Sequence, residues 1–252
     1  MKLKHLAFAL ACLPMGMNAA TITAAGTVMD ITPPGFGVGT DVTDMDAVAA
    51  GSGLTIDGHY LFNSVPEGTN IAGQPWALNA VDSLPAYITS LDGSASASSG
   101  GWANYDDVTI GGNTYNSGGL VQSPGAGVEV PLLTFDLAGA LPVGGVTLAV
   151  LVDNSDNAVW DIDGLRLSGG GGDAAYPSGA ATFNRNGASD IFLFNIAGGV
   201  AGETYTLHGV QPPGTGGALI GGIAFVSEAI PEPSTGLLAL AGLGLAFRRR
   251  RK

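Results

Sequence analysis

The sequence predicts an all-β protein, an antiparallel β-sandwich or jelly roll with one apolar segment at each end of the chain. Three observations point there. Residues 21–230 hold short strand-like runs with almost no helical periodicity. Clusters of Gly, Asn, Asp and Pro separate those runs, and the chain holds 41 glycines. Hydrophobic residues make up 46% of the 252 residues, so a packed core is within reach.

Residues 1–20 read as a secretory signal peptide that enters the membrane as a helix. Lys2 and Lys4 supply the positive start, and Leu6 to Met17 is apolar with Pro14 as a helix breaker. Small residues at Ala19 and Ala20 set the expected cleavage point. Cys12 is the chain's single cysteine and is lost with this segment, which excludes disulfides and cysteine chemistry from the mature protein.

Strands are expected at 54–62, 107–110, 128–137, 145–152, 159–167, 190–196, 203–209 and 218–226. In the first of these, Leu54, Ile56, Gly58, Tyr60 and Phe62 alternate with Thr55, Asp57 and His59, which predicts one shared face. Residues 146–152 are nearly all apolar, as in a strand at the centre of a sandwich. The Ser/Gly/Ala stretch 92–101 and the Gly-rich stretch 169–173 read as surface loops inside one domain, 21–227. A tether follows at 228–234.

Between the two ends the only cations are Arg166 and Arg185, against twenty acidic residues, so residues 21–230 carry −18. Such a surface repels nucleic acid and anionic lipid and suits divalent cations or neutral ligands. Catalysis finds little support. His59 and His208 lie in expected strands without a nucleophile elbow, and no facing carboxylate pair or phosphate loop is recognisable. The chain therefore reads as a non-enzyme. Calcium is the best metal candidate, because Asp153 and Asp156 crowd one turn and Asp161 and Asp163 follow in the next strand. Asp41, Asp44 and Asp46 form a second acidic group. The spacing differs from the twelve-residue EF-hand loop. Trp102 and Tyr105, next to the Ser/Gly loop, are the candidate glycan contacts.

The C-terminus has three parts in order. Pro231, Glu232 and Pro233 come first. Residues 235–247 form an uncharged apolar run, and Arg248, Arg249, Arg250, Arg251 and Lys252 end the chain. Thirteen helical residues span about 20 Å, less than the roughly 30 Å hydrocarbon layer, so this is a short transmembrane helix. The five cations place that end in the cytoplasm and the domain outside.

This tripartite tail resembles the PEP-CTERM sorting signal, and the segment 146–167 is similar to jelly-roll domains of other PEP-CTERM proteins, many of them like carbohydrate-binding modules. The resemblance implies exosortase and the secretion machinery as partners and a Gram-negative host that makes exopolysaccharide. It also implies transient inner-membrane anchoring before release or attachment at the surface. The expected role is an exported structural or adhesive protein of the cell surface or extracellular matrix. A carbohydrate-binding module for exopolysaccharide and a secreted hydrolase are the alternatives.

Overall fold

The computed structural model describes residues 19–28, 42–51, 53–62, 65–66, 81–93, 107–116, 120–122, 124–153, 160–179, 183, 189–215 and 217–228. The chain begins with β1 (Thr21–Val28), β2 (Val42–Asp44), helix α1 (Met45–Gly51), β3 (Leu54–Leu61), β4 (Val65–Pro66), β5 (Val81–Ser83) and β6 (Ile88–Gly93). Next come β7 (Asp107–Ile110), β8 (Asn113–Asn116), β9 (Leu120–Gln122), β10 (Glu129–Leu137), β11 (Val146–Asp153) and β12 (Trp160–Asp161). β13 (Leu165–Gly169), β14 (Gly172–Tyr176), β15 (Ser189–Ala197), β16 (Thr204–Val210), β17 (Gly217–Ile220) and β18 (Gly222–Glu228) follow.

Two antiparallel sheets carry the fold. One has the order β1-β15-β11-β18-β3-β5 and the other β14-β13-β16-β10-β6. From β10 onward the long strands change sheet at each step: β10, the β13–β14 hairpin and β16 lie in the five-stranded sheet, and β11, β15 and β18 in the six-stranded one. Their inner faces pack together, as alternating strands with one apolar face must. Phe225 of β18 meets Phe135 of β10 edge-on at 5.2 Å, and Phe135 stacks on Tyr205 of β16 at the same separation. Tyr176 of β14 stands edge-on to Phe192 and Phe194 of β15, and its hydroxyl donates to the Leu193 carbonyl at 2.7 Å. That bond ties one corner of the sandwich together.

The outer face of the six-stranded sheet is covered too. A small sheet of order β2-β7-β8-β4 and helix α1 lie there. Met45, Val108 and Ile110 bury Leu61, Ala149, Leu151, Ile191 and Val226 in a second cluster. Strand β11 is therefore apolar on both sides: Leu148 and Val150 face the sandwich core, Ala149 and Leu151 the second cluster. This accounts for its nearly unbroken apolar run.

The structure corrects four expectations. Strand β3 does not keep one face. Its pairing with β18 shifts between Gly58 and Ile56, so Asp57 is an extra residue in a β-bulge. Leu54 and Ile56 join the second cluster, whereas Tyr60 and Phe62 join the sandwich core. The expected strand 159–167 is broken. β12 pairs in parallel with β17, while β13 belongs to the five-stranded sheet. The strand 218–226 is divided at Gly221, whose N–H donates to the Leu151 carbonyl at 2.9 Å. Finally, 169–173 is a tight hairpin and not a loop. Gly170 and Gly171 join β13 to β14 with φ of +55° and +85°, the signs a two-residue type I′ turn requires.

Among the described residues α1 is the one helix, and no helix is long and apolar enough to cross a membrane. The expected signal-peptide segment, apart from Ala19 and Ala20, and the segment 235–247 lie outside the described residues.

Candidate functional site

Most residues singled out by sequence lie outside the described part: Asp41, Asp156, Trp102, Tyr105, Pro231, Glu232, Pro233, Arg248, Arg249, Arg250, Arg251 and Lys252. Asp153 ends β11 and Asp161 ends β12. Asp163 is half-buried just beyond, where its Oδ1 accepts from the Gly179 N–H at 3.1 Å. Among the described residues no group of three or more His, Cys, Asp or Glu is placed to hold a metal ion. Two members of the second acidic group have backbone partners. Asp44 caps α1 by accepting from the Ala47 N–H at 2.8 Å. Asp46 accepts from the Gly111 and Gly112 N–H groups at 2.9 and 2.8 Å, clamping the β7–β8 turn onto α1.

His59 is buried in β3 beneath that turn, with its ring close to Gly111. His208 lies in a polar network on the outer face of the five-stranded sheet, which sequence alone did not show. Arg166 of β13 sits opposite His208 of β16. The guanidinium contacts both oxygens of Glu129 and reaches Asp173 at 3.3 Å. The Ser168 hydroxyl lies 3.1 Å from His208 Nε2, and His208 Nδ1 lies 3.8 Å from Glu129.

A serine, a histidine and a carboxylate in a row invite comparison with a nucleophilic triad. Two features work against it. Glu129 is held by Arg166, whose hydrogen bond keeps its carboxyl below the usual range, so it is engaged elsewhere than on the imidazole. Ser168 stands on a strand paired on both sides, and a ladder of that kind leaves few free N–H groups for an oxyanion. The geometry is that of a cross-strand ion-pair network. Further along this face Asp136 accepts from the Thr204 and Ser90 hydroxyls at 2.5 and 2.8 Å, which holds its carboxyl below the usual range.

A groove opens between the β5–β6 loop and the β10–β11 turn. The β3 bulge turns Asp57 toward the loop before β6. Its Oδ2 accepts from the Tyr87 hydroxyl at 2.8 Å and its Oδ1 from the Ser227 hydroxyl at 2.9 Å. Burial, then the Asp57 hydrogen bond and charge, push the Tyr87 phenol far above its ordinary value, so it stays a donor. Asp57 and Ser227 line a groove of about 740 Å³. Pro85, Ala86 and Tyr87 form one wall, and Pro142 and the fully exposed Val143 the other. Through Gly144, Gly145 and Ser227 it meets a second depression of about 260 Å³, lined by Thr23, Thr147 and Asn195.

Fold and site together define an all-β protein of two packed antiparallel sheets with a third layer on one of them. Comparison with protein families matches residues 229–252 to the PEP-CTERM protein-sorting motif, so the chain carries a PEP-CTERM sorting signal. No curated protein and no solved structure matches the chain significantly.

Proposed function

We propose that this is an exported protein sorted by exosortase, with a non-enzymatic structural or adhesive role at the cell surface or in the extracellular matrix of a Gram-negative bacterium. The match of residues 229–252 to the sorting motif carries this reading. The positive, then apolar, then small-residue pattern of residues 1–20 supports export, and the basic end supports a tail that stops in the membrane. An apolar run of thirteen residues suits a transient anchor better than a permanent one. The sheet-to-sheet alternation from β10 onward supports a variant of the jelly roll.

The test is fractionation of a chain tagged within the domain. Pro231→Ala, Glu232→Ala and Pro233→Ala together should leave export intact and trap full-length protein in the inner membrane. Deletion of residues 248–252 should instead weaken retention. A triple variant that reaches the surface with the trimmed mass of the wild type would overturn the sorting reading.

A further inference from the structure

We propose that the groove between the β5–β6 loop and the β10–β11 turn binds a neutral polysaccharide chain, with Asp57, Tyr87 and Ser227 as its polar centre. The two walls are apolar: Pro85, Ala86 and Tyr87 face Pro142 and Val143. Val143 is a large apolar side chain standing free in solvent. It adds apolar surface to the rim of the groove. Between the walls lie Asp57, Ser227 and two residues without side chains, Gly144 and Gly145. Gly145 is pressed against β15, where an added Cβ would stand 2.4 Å from the Ile196 carbonyl oxygen, so the packing of the two strands requires a glycine here.

The groove's contents exclude other occupants in turn. Among the described residues its one charged side chain is Asp57, in a domain of net charge −18, so an anionic polymer meets repulsion there. A lone carboxylate with both oxygens already accepting hydrogen bonds is no metal cage. An extended peptide adding to a sheet needs a free strand edge, but β11 and β18 behind the groove are paired on both sides. A sugar chain fits what remains. The C–H faces of its rings pack on apolar walls, and its hydroxyls donate to the free lone pairs of Asp57.

The path continues beyond one ring. Across the shared glycines, Thr23 of β1, Asn195 of β15 and Thr147 of β11 stand in register on adjacent strands of the outer sheet face. The Thr147 hydroxyl donates to Asn195 Oδ1 at 2.7 Å, which leaves the Asn195 amide N–H₂ to face a ligand. A groove of about 740 Å³ joined to one of about 260 Å³ suits a segment of several sugar units.

None of the groove residues named here belongs to the sorting motif at 229–252, so failure of this proposal would leave the sorting proposal standing. The experiment is affinity electrophoresis of the full chain in mild detergent, through gels holding dextran, β-1,3-glucan, mannan, xylan or alginate. At least one neutral polysaccharide should retard the protein, and the polyanion alginate should not. Asp57→Asn should weaken that retardation roughly tenfold or more, because hydroxyl donors lose a charged acceptor. Val143→Asp should weaken it as well without lowering the melting temperature, since that side chain has no packing to lose. Thr134→Ala, on the opposite sheet face, should change nothing. The idea is overturned if no neutral polysaccharide retards the wild type, if alginate does so equally, or if retardation survives both groove variants. It is also overturned if Trp102→Ala abolishes binding while Asp57→Asn preserves it.

Discussion

His208 sits between a guanidinium and a carboxylate, half out of water. Burial, then the Arg166 charge, hold its imidazole below the ordinary value of 6.5. The unfolded chain therefore binds the extra proton. Stability is complete above about pH 6.5 and falls as pH drops toward the folded value. Glu129 acts in the same direction in a lower window, because Arg166 holds its carboxyl below 4.5. His208→Gln should flatten the loss of stability just below pH 6.5 and leave the loss below pH 4.5 in place. Urea midpoints measured across pH 4 to 8 read this out, and an unchanged profile would assign the upper window to another group. Asp46 offers a second single-residue test. Asp46→Ala removes the acceptor of two turn N–H groups and should cost about 1–2 kcal/mol in urea unfolding.

At the scale of single elements, β3 and β11 carry the most information. The bulge at Asp57 lets one strand serve two cores, since every residue beyond it changes face. Gly58, next to the bulge, is packed so tightly that an added Cβ would stand 2.1 Å from the Ser83 carbonyl oxygen and 2.5 Å from Pro85. Gly58→Ala should push the β5–β6 loop away and lower the melting temperature by several degrees, with a distorted groove as a consequence. β11 is buried on both faces, so Leu151→Ala and Val150→Ala should both destabilise, although they point in opposite directions. Leu151→Ala should cost about 2–4 kcal/mol in chemical denaturation. A negligible cost for Leu151 would mean that α1 and the small sheet do not pack as described.

For the whole molecule, the layered core has to outweigh a one-sided charge. Residues 21–230 carry −18, with Arg166 and Arg185 as their only cations. Self-repulsion of that size is screened by salt. Raising sodium chloride from about 10 mM to 0.15 M shortens the screening length from about 30 Å to 8 Å and should raise the melting temperature. The Arg166 network responds the other way, because salt weakens an exposed ion pair, but such pairs contribute little. A fall in melting temperature with salt would show that the local pairs outweigh the global repulsion.

The sequence by itself determined the all-β class, the positions of most long strands and the sorting motif at the C-terminus. Each of these is written in local order: alternation, turn residues at short spacing, or three segments in succession. It did not reveal α1, a helix of seven residues too short for a clear period, nor β1 and β14, whose small residues give weak strand signals. Only the tertiary structure decided that β11 is covered on both faces, because an apolar run alone does not say what lies on either side. It also decided where β3 turns over, since a bulge is set by the partner strand. The polar network and the groove were illegible for the same reason. Glu129, Arg166, Asp173 and His208 come from four strands, and Asp57, Tyr87 and Ser227 lie up to 170 positions apart. Their chemistry comes from proximity that pairing and packing create, and no local pattern encodes it.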